Sequence, residues 1–276
     1  IQRIFQCRLS MGAFMQNPTI GVQAGIISAT QGNVDPVLIV EMGEHKIGKP
    51  CLYLLPPLIG SPLIYQKMCN MLSRNYNCYG LQDPGFEESD KIDATLNDKI
   101  NLFVKQIAQH NTDKKVRLFG FSYGATTAFE VAKELENKGF EIVLTIVDRP
   151  VTKRQSIFNL KQNPIEYDDI NRFLDKIRTI DPSISYISDI TYNWNNNIKL
   201  LEKYQQKGRI KGRLIAFKSK DNLSTDFLSM ESWKGYTANS FQHYYLEGDH
   251  YECLEINDNI EKIYKILLEN EEVTIN

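Results

Sequence analysis

The stretch Lys115-Val116-Arg117-Leu118-Phe119-Gly120-Phe121-Ser122-Tyr123-Gly124-Ala125 changes character at Ser122. Before it stands an apolar run, Val116–Phe121, with the length and bulk of a buried strand; after it comes a helix-like run, Ala125–Asn137. A G-x-S-x-G string is common by chance. Set between a buried strand and an immediate helix, it describes a nucleophile elbow, a tight turn that lifts a serine hydroxyl off the carboxyl end of a strand. Gly120 and Gly124 lack the Cβ atoms that would clash where strand and helix pass so closely.

Outward from this turn, short apolar runs alternate with amphipathic ones, the rhythm of a mostly parallel sheet covered by helices on both faces. Cys51–Pro57 and Tyr76–Gln82 read as strands, with Pro62–Arg74 as a helix between them. Asp83-Pro84-Gly85 is a turn. Asp90–His110 predicts a helix with Ile92, Leu96, Ile100, Phe103, Val104 and Ile107 on one face. Lys115–Phe121 enters the elbow, Ser122–Asn137 leaves it, and Gly139 suits the position after a helix C-cap. Glu141–Val147 is another buried strand, ending at Asp148. Strands resume at Gly212–Lys218 and His243–Leu246, and Asp258–Glu271 closes as an amphipathic helix.

Between the strands, Val151 to about Gly208 lacks any strand-like run and carries helical periodicity at Asp168–Ile180 and Asn193–Gln206. It reads as a helical insertion over the carboxyl edge of the sheet, about residues 151–209. The first 35 residues stand apart from the βα rhythm. Asn17-Pro18-Thr19-Ile20 is a capped helix start, and Gly21–Ser28 a short helix.

Whole-chain properties narrow the function classes. The 276 residues suit one large α/β domain with an extra segment. A net charge of -2 gives no electrostatic reason to expect nucleic acid. The five cysteines are scattered without C-x-x-C spacing, which argues against a disulfide framework or a zinc site and for a reducing cytoplasm. The apolar runs are too short to span a bilayer, so no membrane partner is expected. Ile1-Gln2-Arg3 has neither an initiator Met nor a signal-peptide layout, and reads as the start of a piece of a longer polypeptide or of a trimmed chain.

A serine hydroxyl needs a base to become nucleophilic at neutral pH, usually an imidazole steadied by a carboxylate. The chain has four histidines. His45 precedes the first sheet strand read above, His110 ends a surface-type helix, and His243 falls inside a strand-like alternation. His250 follows Glu247-Gly248-Asp249 directly after the last strand, on the edge where sites of open α/β sheets gather. Two acids compete for the third place. Asp148 ends a buried strand, and Asp221 stands in the polar loop Ser219–Ser224; both keep the chain order Ser, acid, His. Asp249 suits a turn or cap. Oxyanion donors are expected at the backbone N–H of Tyr123, after the nucleophile, and of Leu58, the first free N–H after Pro56-Pro57.

Taken together, these residues resemble the thioesterase domains that end nonribosomal peptide and polyketide assembly lines, members of the α/β-hydrolase superfamily. The resemblance runs from about Val37 to the C-terminus. It rests on Leu54-Leu55-Pro56-Pro57-Leu58-Ile59-Gly60, the elbow at 120–124, Val147-Asp148, the helical insertion and Gly248-Asp249-His250. Ala125 stands where a second glycine often follows the elbow.

In that family the acid follows the strand after the nucleophile helix, so the resemblance favours Asp148 over Asp221. Phe14-Met15-Gln16-Asn17-Pro18-Thr19-Ile20 resembles the last helix of a carrier domain, which implies a carrier tail and linker over residues 1–35 and a thioesterase domain over 36–276. The implied partner is an upstream carrier domain that delivers an acyl chain on phosphopantetheine. No metal and no cofactor of the domain's own are implied. Ser122 would take the acyl group with His250 as base and Asp148 as its support. The insertion would act as a lid, and its Lys153, Arg154, Lys161, Lys176 and Arg178 would either meet a phosphopantetheine phosphate or, as their ordinary role, form a solvated surface.

The alternatives are a stand-alone type II editing thioesterase, which would have no carrier tail, and a lipase- or esterase-like serine hydrolase. A non-catalytic binding module on the same fold is a further one, against which intact Ser122, Asp148 and His250 argue.

Overall fold

Leu52 and Leu54 point to one side of their strand and Tyr53 and Leu55 to the other, yet all four are buried. A strand apolar on both faces belongs in the middle of a sheet covered on both sides. The computed structural model describes residues 19–30, 38–83, 94–151, 187–221 and 230–272. Among them is one seven-stranded sheet built from β1 (Ile39–Met42), β2 (Cys51–Leu55), β3 (Asn77–Leu81), β4 (Lys115–Phe121), β5 (Glu141–Val147), β6 (Arg213–Ser219) and β7 (Phe241–Leu246). The spatial order is β1-β3-β2-β4-β5-β6-β7. Only β1 runs antiparallel, pairing Val40 with Gly80 on β3; every other pairing is parallel. With its covering helices this is the α/β-hydrolase fold expected from the sequence.

Six helices accompany the strands among the described residues: α1 (Ile20–Thr30), α2 (Gln66–Leu72), α3 (Leu96–His110), α4 (Tyr123–Asn137), α5 (Ile187–Lys203) and α6 (Asn257–Glu272). On one face α3 and α4 bring Phe103, Ile107, Phe129 and Leu135 against Leu55, Leu118 and Leu144. On the other, α2 and α6 bring Met68, Leu72, Ile263 and Leu267 against Leu54, Phe119 and Phe217. The sheet is thus the shared wall of two cores, and its central strands are fixed from both sides.

Element ends have local causes. The helix expected from Asp90 starts at Leu96 among the described residues, where Thr95 and Asp98 form a reciprocal capping box. Pro62–Tyr65 is a 3₁₀ turn leading into α2 rather than part of one α-helix, with Ser61 at its cap. Gly139 adopts φ +90° just after α4, as a residue beyond a C-cap does. Two elements were not anticipated, the edge strand β1 and a 3₁₀ segment at Met230–Tyr236. The Asp168–Ile180 helix and the basic residues from Lys153 to Arg178 lie outside the described residues, as do Asn17 and Pro18. No helix among the described residues is long and apolar enough to cross a membrane.

Candidate functional site

β4 ends at Phe121 and α4 begins at Tyr123, leaving one residue for the whole reversal. Ser122 makes it with φ +55° and ψ −125°, a conformation that is costly for a residue with a Cβ and persists only where the surroundings enforce it. They do so through hydrogen bonds from Ser122 N to Val147 O (3.0 Å) and from Ala125 N to Ser122 O (3.0 Å). The two glycines make the turn sterically possible. A Cβ on Gly120 would collide with the Gly124 carbonyl, and one on Gly124 would lie 2.5 Å from Leu55 O.

A second device holds the neighbouring strand ends. The β2–β4 ladder ends at the Leu55–Gly120 pair, and Pro56 follows. There the buried Tyr65 hydroxyl donates to Leu55 O at 2.7 Å and accepts from Phe121 N at 3.1 Å. One side chain therefore ties the strand before the Pro56-Pro57 loop to the strand before Ser122.

His250 reaches Ser122 from the turn after β7. Its Nε2 lies 3.1 Å from Ser122 Oγ, and its Nδ1 lies 2.6 Å from Asp148 Oδ2. The ring stacks on Phe121 at 4.6 Å between centroids. Asp249 is a turn residue, its Oδ1 accepting from Tyr251 N (2.8 Å) and Glu252 N (3.0 Å). Asp148, the first residue past β5, also has a positive φ of +49° and donates its N–H to Phe217 O at 2.8 Å.

The Asp148 carboxylate is buried and divides its partners between its oxygens. Oδ2 faces His250, while Oδ1 accepts from Lys218 Nζ at 2.8 Å and from Ser219 N at 3.2 Å. Burial pushes its pKa up. The hydrogen bond and charge of His250 together with the Lys218 ammonium outweigh that and hold it well below the ordinary 3.8. The carboxyl is therefore ionised at neutral pH, facing the imidazole as a fixed negative charge. Asp221 is exposed and meets the turn before His250 through its backbone N–H, which donates to Gly248 O at 3.2 Å. A hydroxyl bonded to an imidazole, with a buried carboxylate behind the imidazole, can pass its proton to the ring as it attacks a carbonyl.

The loop after β2 lies beside the elbow. Gly60 N donates to Pro57 O at 2.9 Å, which fixes the plane of the peptide that carries the Leu58 N–H. Gly60 has φ +79°, and its carbonyl accepts from Asp83 N at 2.9 Å. Leu58 O accepts from Asn197 Nδ2 on α5 at 2.9 Å. Asn197 belongs to a buried cluster with Asp83 and Lys99. The Lys99 ammonium donates to Asp83 Oδ2 at 2.9 Å and to Asn197 Oδ1 at 2.7 Å, and Asn197 Nδ2 also donates to Asp83 Oδ2 at 2.8 Å.

Sequence reasoning missed Lys218, Tyr65 and this cluster. A buried-looking lysine inside the apolar strand Gly212–Lys218 was the one available signal for Lys218; for the others the chain gives none. The remaining histidines lie away from Ser122. His110 Nδ1 lies 2.9 Å from the Tyr53 hydroxyl, His45 Nε2 3.0 Å from Cys78 O, and His243 Nδ1 3.3 Å from Glu231. Among the described residues no group of three or more His, Cys, Asp or Glu is arranged to hold a metal ion.

Comparison with known proteins converges on one family. A family model described as "Thioesterase domain" matches residues 50–269. A mycosubtilin synthase polypeptide of Bacillus subtilis is 24% identical over 97% of this chain, which spans about a tenth of that protein's length. The Vlm2 thioesterase domain, solved with a bound dodecadepsipeptide, superposes with a TM-score of 0.66 at 17% identity, covering 83% of this chain and 97% of that one. The type II thioesterase BorB, from the borrelidin biosynthetic cluster, gives 0.66 at 20% identity, covering 84% of this chain and 96% of its own. At such identities the structural likeness speaks for the fold, and the family match, over well more than half of the chain, speaks for membership: this chain belongs to the thioesterase domain family.

Proposed function

We propose that the chain releases an acyl, peptidyl or polyketide chain from the phosphopantetheine thioester of an upstream carrier domain, through an acyl-enzyme on Ser122. The observation that carries this is the hydrogen-bonded series Ser122–His250–Asp148 at the carboxyl edge of the sheet, in a member of the thioesterase family.

In this reading Ser122 Oγ attacks the thioester carbonyl while His250 Nε2 takes the hydroxyl proton. The Asp148 carboxylate opposite Nδ1 stabilises the resulting imidazolium. Negative charge builds on the carbonyl oxygen, which accepts hydrogen bonds from the Leu58 and Tyr123 amides; each such donor is typically worth about 10²–10³ in rate. As the tetrahedral species collapses, the C–S bond breaks and the imidazolium proton goes to the departing thiol. Water, or a hydroxyl or amine of the acyl chain itself, then attacks the ester on Ser122 with His250 again as base. Water gives a free acid, and an internal nucleophile gives a ring.

Residues 1–35 are proposed as a carrier tail and linker ahead of the thioesterase domain, supported by the synthase alignment, which runs over 97% of the chain. The domain needs no cofactor of its own, because its substrate arrives on the carrier's phosphopantetheine. A cytoplasmic setting fits the free thiols of Cys51, Cys69, Cys78 and Cys253. A stand-alone editing role is the second reading, favoured by the likeness to BorB, which covers 84% of this chain.

Incubation with a short thioester mimic of a carrier-bound chain, followed by mass spectrometry of protein and products, tests the proposal. The wild-type chain is expected to gain an acyl adduct on Ser122 and release acid or ring, and Ser122→Ala to do neither. An adduct forming at full rate in Ser122→Ala would sink the mechanism. Indiscriminate clearing of acetyl groups from unrelated carriers, with no turnover of longer chains, would move the assignment to the editing reading.

A further inference from the structure

A buried lysine–aspartate pair is a weak source of stability, because removing two charges from water costs about as much as their attraction returns. Lys99 and Asp83 form such a pair, each at most 1% exposed, and Asp83 Oδ1 has no hydrogen-bond partner among the described residues. Net stability is therefore a weak account of the cluster. Its geometry is a better one, since three separate elements meet in it: Asp83 follows β3, Lys99 lies in the first turns of α3, and Asn197 lies on α5.

The chemistry of the partners dictates how the Asn197 amide is turned. The Lys99 ammonium can only donate, so it must face Oδ1; Leu58 O can only accept, so it must face Nδ2. The second Nδ2 hydrogen goes to Asp83 Oδ2. Asp83 and Lys99 thus hold the asparagine in one orientation, and its remaining hydrogen bond goes to the Leu58 carbonyl. That carbonyl belongs to the peptide next to the one bearing the Leu58 N–H, whose own plane is fixed by the bond from Gly60 N to Pro57 O.

Asn193, one turn before Asn197 on the same face of α5, packs on the other end of the loop. Its Cβ and Cγ lie 3.2 and 3.1 Å from where a Gly60 Cβ would sit, and Asp83 Cβ lies 3.1 Å from the same point. The loop between Pro57 and Gly60 is thereby held on both peptides flanking Leu58 and against α5.

We infer that Asn197, oriented by Lys99 and Asp83, is a positioning residue that sets the Leu58 amide for the oxyanion, so that seating of α5 on this loop is a condition for acyl transfer. This rests on the proposed reading of Ser122 and Leu58. Asn197 is fully buried, its hydrogen bonds go to Lys99, Asp83 and Leu58 O, and in this reading it acts through the Leu58 backbone.

The test compares the wild-type chain with Asn197→Ala, Asn197→Asp and Asn197→Ser on a short acyl thioester. Active sites are counted by end-point labelling with a fluorophosphonate, and thermal melts are recorded alongside. A wild-type chain that neither labels at Ser122 nor turns over thioester overturns the parent reading; the inference is judged only against an active wild type. There, Asn197→Ala is expected to lower kcat per labelled site about 10- to 100-fold, with acylation and deacylation slowed together, because both steps build the same oxyanion. KM is expected to stay within about twofold, as loss of a transition-state interaction requires. Asn197→Asp, which turns an acceptor towards Leu58 O and a charge towards Asp83, is expected to fall further. Asn197→Ser keeps one donor and is expected to fold if alanine does not, with kcat between alanine and wild type. An unchanged kcat in a folded variant, or a raised KM with kcat intact, overturns the inference.

Discussion

Asp148 meets several demands at once beside Ser122. It carries a positive φ, sits buried, and divides His250 from Lys218 and Ser219 N between its two oxygens. Replacing it with asparagine keeps the shape but places an NH₂ or a neutral oxygen opposite Nδ1, so the imidazolium loses its counter-charge and the ring its enforced tautomer. Asp148→Asn is therefore expected to cut kcat by about 10³–10⁴-fold, whereas Asp221→Asn, at an exposed loop position, is expected to stay within about threefold. Steady-state rates on one thioester decide it, and the reverse ranking would exchange the two acids. Ser122 and His250 were legible in the chain because a local motif and a count of four histidines single them out. Asp148 against Asp221 was a choice the residues left open until the family resemblance weighted it. A lysine in an apolar strand hinted at Lys218, but nothing local connects residue 218 with 148 or residue 197 with 58.

Strands are most legible where both faces are buried. Glu141–Val147 was located to the residue, since seven residues of which six are buried leave no other assignment. β1 escaped because four residues at the sheet edge, with Glu41 exposed among them, carry too little pattern. What joins the elements at the elbow was equally invisible, since Tyr65 reads as one more aromatic at a helical start. Its hydroxyl supplies a donor to Leu55 O and an acceptor to Phe121 N where the β2–β4 ladder stops. Tyr65→Phe removes one oxygen and leaves two buried backbone groups unmet. Its expected cost is about 1–3 kcal/mol of unfolding free energy, with a measurable drop in kcat as the strand ends beside Ser122 loosen. Urea denaturation of the two proteins measures the first and thioester turnover the second; a neutral effect on stability would mean the strand ends close on each other without the hydroxyl.

For the molecule as a whole, the same logic of buried acids sets the response to pH. Far from the elbow, Glu271 near the end of α6 accepts from Arg117 through both carboxylate oxygens and from Lys115 Nζ at 3.0 Å, which ties the last helix to the start of β4. Partial burial raises its pKa, and the hydrogen bonds and charges of Arg117 and Lys115 bring it below the ordinary 4.5. Asp148 is held below 3.8 at the opposite end of the sheet. Both groups bind protons less readily folded than unfolded. In the acid range the unfolded chain therefore takes up more protons, and stability rises with pH there. Their contribution is complete above their ordinary values and is lost as pH falls towards their folded ones. The melting temperature is accordingly expected to be level with respect to these two groups from neutrality down to about pH 5, and to fall steeply below about pH 4.5. Glu271→Gln is expected to lower the melting temperature at neutral pH and to flatten the acid slope, because one of the two titrations is gone. Turnover per folded molecule at neutral pH is expected to be unchanged in this variant, because Glu271 lies at the end of the sheet away from Ser122. Melts of both proteins across this range check the prediction, and an identical acid slope in Glu271→Gln would show that the clamp between α6 and β4 contributes nothing to acid stability.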